Sequence, residues 1–167
     1  IPSGTHVYSF NNSLLYIYKS SLQVQGTLGN EVTFEQSRTE DFILANADSV
    51  AGQWRGIYFF APENSKIEYA QIKNATIGIQ VDTLKGQDSL ILENVRIDNS
   101  SFAAIVTQGG NVYANSCLFG SAGQYTSFLS IGGSLFFDHC TFANYWLGQR
   151  NSVLFALKNY YEANNSV

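Results

Sequence analysis

Apolar and polar positions alternate in short bursts along most of this chain, and the bursts recur. Residues 65–74, 90–99, 112–121 and 135–144 can be written under one another at successive intervals of 25, 22 and 23 residues. Three columns of that alignment are apolar throughout. The first holds Ile67, Leu92, Ala114 and Phe137, the second Ala70, Val95, Cys117 and Cys140, and the third Ile72, Ile97, Phe119 and Phe142. Alternation with a period of two denotes strand, because successive side chains leave a strand on opposite faces. Between the first two columns lies a mixed position, Tyr69, Asn94, Ser116 and His139, which marks a short corner. Self-similarity at a fixed period of this length is the signature of stacked repeats. A unit that runs, bends and returns one period later is one coil of a parallel β-helix, lying about 4.8 Å above the last.

A third strand precedes each unit, at residues 56–59, 78–81, 104–107 and 127–130. Its inward phase is clear in the first two coils. In the last two, Val106 or Leu129 fits the inward position as well as Ile105 or Phe128. The outward candidates of this opening strand are therefore Tyr58, Gln80, Val106 or Ile105, and Leu129 or Phe128. Asn74, Asn99 and Asn144 align with Ser121 at the next corner. Asn tolerates left-handed backbone and bonds to nearby backbone, so it suits such corners, and stacked Asn side chains can bond from coil to coil. The fold expected is all-β, a single-stranded parallel β-helix with three strands per coil of about 22–25 residues.

Ahead of the regular repeat, residues 14–18, 22–26 and 32–35 read as three strands of an earlier coil with a different style of corner. Residues 36–53 lose the pattern and read as a loop insertion. Residues 83–88 are extra length in the 25-residue coil, and the pairs Gly109-Gly110 and Gly132-Gly133 mark one corner twice. Residues 153–157 look like the opening strand of a further coil, left incomplete over residues 151–167. The expectation is one domain over residues 1–167, a piece of a longer chain whose remainder continues the stack.

Composition narrows the classes. The chain has 167 residues, 14% aromatic and only 13% charged, with a net charge of −4. No basic patch supports nucleic-acid binding. No run approaches the roughly 18 apolar residues of a membrane-spanning helix. Cys117 and Cys140 fall in one inward column on adjacent coils, so their Cα atoms stand about 5 Å apart, within reach of a disulfide. In-register parallel neighbours point their Cβ atoms the same way, however, which favours two reduced core thiols.

Two segments carry a resemblance. Gly4-Thr5-x-Val7, followed by Leu22-x-Val24-x-Gly26-Thr27-Leu28-x-Asn30-x-Val32-x-Phe34, is similar to the entry coils of bacterial right-handed parallel β-helix surface proteins. So is Trp54-x-Gly56-Ile57-x-Phe59, followed by Ile67-Glu68-Tyr69-Ala70-x-Ile72-x-Asn74-Ala75-x-x-Gly78-Ile79. The chain resembles the secreted or lipoprotein β-helix proteins of Bacteroidetes, which share the pectin-lyase-like fold. The resemblance covers nearly the whole chain and implies a right-handed solenoid, as parallel crossovers generally favour. It also implies an extracellular or outer-membrane location and a polysaccharide partner.

Carbohydrate-active relatives of that kind place carboxylates, or Ca²⁺-binding acids with a basic residue, on an outer face. The opening strand offers no acid there, so the paired carboxylates of glycoside hydrolysis are missing. Glu68, Glu93 and Asp138 do align, with Asn115 interrupting the row. Such a row can hold Ca²⁺ through oxygen ligands, but a solvated outer face is the leading reading of it. His139 sits at a corner with no evident acid and nucleophile. No catalytic residue is assigned, and no cofactor is expected outside the Ca²⁺-dependent alternative. Exposed aromatic rings stack on sugars and anchor interfaces, so Trp54, Tyr58, Tyr145 and Trp146 are the candidate carbohydrate contacts. The leading expectation is a non-catalytic scaffold or adhesin-like module that binds polysaccharide. A Ca²⁺-dependent polysaccharide lyase or glycoside hydrolase is the alternative, and a structural spacer in a longer solenoid is a third.

Overall fold

The computed structural model describes residues 1–37, 50–82, 88–149 and 152–159. Among them there is no helix, and the chain winds into a parallel β-solenoid of about five turns. Two sheets form its walls. The six-stranded sheet stacks β2 (Leu14–Tyr18), β5 (Gly56–Phe60), β7 (Ile77–Asp82), β9 (Ala103–Gln108), β12 (Tyr125–Ser130) and β15 (Phe155–Lys158) in that order. The nine-stranded sheet follows β1 (His6–Ser9), β4 (Val32–Gln36), β6 (Ser65–Lys73), β8 (Ser89–Asp98), β10 (Asn111–Asn115) and β13 (Leu135–Asp138). Three shorter strands join it: β3 (Gln23–Gln25) beside β6, β11 (Leu118–Gly120) beside β8, and β14 (Thr141–Ala143) beside β11. Every pairing between these strands is parallel.

The register matches the repeat. Ile67 pairs with Leu92, Leu92 with Ala114 and Ala114 with Phe137. The entry coil extends the columns, Val24 pairing with Ile67, Val32 with Ala70 and Phe34 with Ile72. Side chains in these columns are buried except at the last coil, where Phe137, Cys140 and Phe142 are partly covered. Phe119 and Phe142 stack with ring centroids 5.0 Å apart and an interplanar angle of 12°. Each large apolar side chain buried this way contributes about 1.5–3 kcal/mol. Both cysteines are free thiols. Burial pushes the Cys117 thiol up to about 12, so it remains protonated and inert at neutral pH.

The corners are made by left-handed residues. Tyr69, Asn94, Ser116 and His139 have φ of 45°, 55°, 54° and 50°, and Asn74, Asn99 and Ser121 have 59°, 55° and 38°. One such residue turns the chain so tightly that β6 and β8 run through Tyr69 and Asn94 as single bent strands. The second and third strands expected per coil are thus one element in those two coils. A polar ladder fixes the other corner: Asn99 Nδ2 donates to Asn74 Oδ1 at 2.6 Å, and Asn74 Nδ2 donates to Gln36 Oε1 at 2.7 Å. Asn144, two coils beyond Asn99, donates instead to the Ala122 carbonyl at 2.8 Å.

The entry coil replaces its one-residue corner with a hairpin-like turn. Thr27 and Asn30 exchange backbone hydrogen bonds around Leu28 and Gly29, whose φ is +78°. Of the insertion at residues 36–53, Gln36 closes β4, and residues 38–49 lie outside the described residues, as do residues 83–87 of the second expected loop. The opening strand of a further coil is present as β15, paired to β12; residues 160–167, with Tyr160 and Tyr161, lie outside the description.

Candidate functional site

Alternation in the six-stranded sheet decides which side chains face out. Ile57 and Phe59 of β5 are buried, as are Ile79 and Val81 of β7 and Ile17 of β2. Their neighbours Tyr16, Tyr18, Tyr58 and Phe60 therefore share the outer face. Parallel pairing sets Tyr16 beside Tyr58 and Tyr18 beside Phe60. The four rings touch in a two-by-two array. Centroids are 5.3 Å apart for Tyr16 and Tyr58, 5.7 Å for Tyr18 and Phe60, 5.8 Å for Tyr16 and Tyr18, and 6.1 Å for Tyr58 and Phe60. Tyr16 and Tyr18 are each 49% exposed, on a strand at the edge of the sheet. The Lys19 ammonium lies 5.2 Å from the centroid of Tyr18, a cation–π distance.

The next coil adds a polar margin. Gln80 pairs with Tyr58, and Asp82 with Phe60. Asp82 Oδ2 accepts from the Tyr58 hydroxyl at 2.7 Å and from Gln80 Nε2 at 3.0 Å. Its other oxygen, Oδ1, is buried and has no hydrogen-bond partner among the described residues. Burial raises the Asp82 carboxyl above its ordinary range, and the two donated bonds partly offset it. Burial, reinforced by the bond to Asp82, raises the Tyr58 phenol well above its own, so its proton stays available for that bond.

Further along the same face the surface closes. Val106 and Phe128 point outward and Ile105, Ser127 and Leu129 inward, which resolves the open phase of the last two coils. Ser127 pairs with Ile105, one residue away from the expected alignment. Val106 is nonetheless buried, and Phe102, Tyr125 and Phe128 pack edge to face beside it, with centroids 5.7 Å and 5.1 Å apart in that order.

The four expected aromatic contacts do not form one site. Trp54 is 0% exposed, and its indole N–H donates to the Lys73 carbonyl at 2.7 Å. It packs beneath the corner and offers no ring to a ligand, so it is corrected to a core residue. Tyr58 belongs to the aromatic array. Tyr145, 78% exposed, and the half-buried Trp146 follow β14 and line a shallow concavity of about 450 Å³ with Asp98, Asn99 and Ser121. Tyr58 is not among the residues lining it.

The acidic row exists in register, Glu68 beside Glu93, Glu93 beside Asn115, and Asn115 beside Asp138. Its first two members share one cation: Lys66 Nζ lies 2.9 Å from Glu68 Oε1 and 3.1 Å from Glu93 Oε2. Both carboxylates hold the Lys66 ammonium above its ordinary range, the Glu68 bond being the larger cause. Asp138 Oδ2 receives Asn115 Nδ2 at 3.3 Å and stands 3.1 Å from His139 Nδ1. His139 thus has an acid beside it, on an exposed corner. Among the described residues no three His, Cys, Asp or Glu side chains group as a metal site.

The array partners Tyr16, Tyr18, Phe60 and Asp82 were not anticipated. The signal was present as Tyr-x-Tyr flanking Ile17, but its meaning depends on β2 pairing with β5 across 42 residues, far from the 22–25 repeat. The class defined by these features is a parallel β-solenoid with an aromatic outer face at one end of one sheet. No family model, no curated protein and no solved structure matches the chain.

Proposed function

We propose that the chain is a non-catalytic polysaccharide-binding module built on a right-handed, pectin-lyase-like β-helix, belonging to a secreted or surface-anchored bacterial protein. The observation that carries this reading is the array of Tyr16, Tyr18, Tyr58 and Phe60 on a sheet face, bordered by Gln80 and Asp82. These rings lie outside the inward columns that form the core. Half-exposed aromatic residues beside hydrogen-bonding side chains match pyranose sugars, which offer C–H faces to rings and hydroxyls to amides and carboxylates.

The Ca²⁺-dependent enzyme alternative on Glu68, Glu93 and Asp138 draws less support, since Lys66 already bridges the first two acids. The test is titration of soluble polysaccharides by calorimetry against the wild type and a Tyr16→Ala/Tyr58→Ala variant. Saturable binding by the wild type, lost in the variant while its thermal unfolding stays cooperative, supports the reading. No binding by the wild type to any polysaccharide overturns it.

A further inference from the structure

The strap that follows β14 is tied down by a corner asparagine that stands outside the ladder. Asn144 Nδ2 donates to the Ala122 carbonyl, and Asn144 Oδ1 accepts from the Trp146 backbone N–H at 2.9 Å. This two-way tie fixes where the next side chains go. The Trp146 ring lies against Gly123, where an added methyl group would stand 3.3 Å from Cζ2. Tyr145 remains 78% exposed. The coils supply the rest of the concavity: β8 ends on Asp98, Asn99 follows it, and Ser121 follows β11. β11 puts no side chain against the Asp98 carboxylate, because it ends on Gly120, where even a methyl group would lie 3.1 Å from Oδ1.

These groups complement a hydroxyl-bearing ring. The Asp98 side chain is 24% exposed. Its Oδ1 accepts from the Asn99 N–H at 3.0 Å and its Oδ2 from Arg96 Nη2 at 2.6 Å, so each oxygen keeps a lone pair for a further donor. Among the described residues the Trp146 indole N–H meets no acceptor, and it is not one of the shielded unmatched atoms. A pyranose hydroxyl donates and accepts at once, and the C–H face of the ring packs on an exposed aromatic such as Tyr145. Arg96 already balances Asp98, so the concavity carries no net charge to attract an ion.

We infer that this concavity is a second sugar site that takes a single neutral pyranose, packed on Tyr145, with one hydroxyl donating to Asp98 and another accepting from the Trp146 indole. It goes beyond the polysaccharide-binding reading, since none of the residues lining it belongs to the aromatic array. One sugar unit in a shallow site binds at about millimolar concentration. The site is therefore silent in calorimetric titrations of hexasaccharides at micromolar protein.

Of the two tryptophans Trp54 is fully buried, so the emission of Trp146 is the one that responds to a ligand at the surface. The experiment follows that emission while methyl glycosides of glucose, mannose and galactose are titrated into the millimolar range, with glycerol as the hydroxyl control. The proteins are the wild type, Tyr145→Ala, Asp98→Ala and Tyr16→Ala/Tyr58→Ala, each checked for cooperative thermal unfolding. At least one glycoside is expected to give a saturable blue shift with a midpoint of about 1 mM. Tyr145→Ala and Asp98→Ala are each expected to raise that midpoint about tenfold, and the array pair to leave it within about twofold, as for independent sites. No shift with any of the three glycosides, a shift that glycerol reproduces, or a midpoint unmoved in Tyr145→Ala would overturn the inference. Hexasaccharide binding that depends on Tyr16 and Tyr58, with no shift at Trp146, would overturn the inference alone. A saturable shift at Trp146 without hexasaccharide binding would overturn the reading of the array alone.

Discussion

On the outer face of the nine-stranded sheet, Lys66 reaches Glu68 and Glu93, and Arg96 reaches Asp98 at 2.6 Å. On the outer face of the six-stranded sheet, the start of the stack holds Tyr16, Tyr18, Tyr58 and Phe60. The same solenoid carries both. Inward positions obey one rule on each sheet, because each coil must bury its apolar side chains against the next. Outward positions are released from that rule. The charged face carries ion pairs among its acids and bases, as a solvated surface does. The aromatic face leaves Tyr16 and Tyr18 half exposed, with Asp82 behind them tied to Tyr58 and Gln80. That asymmetry is what the proposed polysaccharide-binding reading rests on.

The largest effect is expected from removing what both faces share. Phe119 is fully buried and stacks on Phe142. Phe119→Ala is expected to cost about 3–5 kcal/mol and to degrade both surfaces together, read as a lower midpoint in urea unfolding. Asn99→Ala removes a ladder bond to Asn74 at a left-handed corner. Its expected cost is about 1–3 kcal/mol, and Asn99→Gly should recover the backbone part of it but not the bond.

Asp82 sharpens the contrast through pH. Burial raises its folded-state carboxyl above the unfolded value, so the folded protein binds its proton more readily. Stability from this group is greatest at acid pH and declines as pH rises from the unfolded value, near 3.9, through the folded one. Asp82→Asn is therefore expected to unfold at a higher temperature than the wild type at neutral pH, with the gap closing below about pH 4. An unchanged gap across that range would show that the carboxylate is not strained. The smallest effect belongs to the charged face. Lys66→Ala is expected to cost less than about 1 kcal/mol and to cost less still at high salt, because the pair is exposed.

How much was legible in the sequence follows the same division. Ile67, Leu92, Ala114 and Phe137 and their two companion columns were readable, because burial repeats at a fixed interval and tolerates only apolar residues. The corners at Tyr69, Asn94, Ser116 and His139 were readable as breaks in alternation, though not as single left-handed residues. In β9, Ala103 through Thr107 are all buried, so alternation vanished and its phase could not be read. Ser127 is small and polar yet inward, which displaced the alignment by one residue. Trp54 looked like a loop-edge aromatic because nothing local announces that its N–H meets the Lys73 carbonyl. Of the contact set only Tyr58 joins the aromatic array. Two of its three partners, Tyr16 and Tyr18, come from a coil whose spacing departs from the repeat, and the gathering of four rings is a property of strand pairing.

On the proposed reading the aromatic face, and not the charged one, is the binding surface. Calorimetric titration of a neutral glucan or mannan hexasaccharide against three proteins tests it most directly: the wild type, Tyr16→Ala/Tyr58→Ala, and Glu68→Gln/Glu93→Gln. The account predicts saturable binding that the tyrosine pair abolishes and the glutamine pair leaves within about twofold of the wild type, as exposed charges remote from a site should. Binding that survives loss of both tyrosines, or that disappears with the two glutamates, would contradict it.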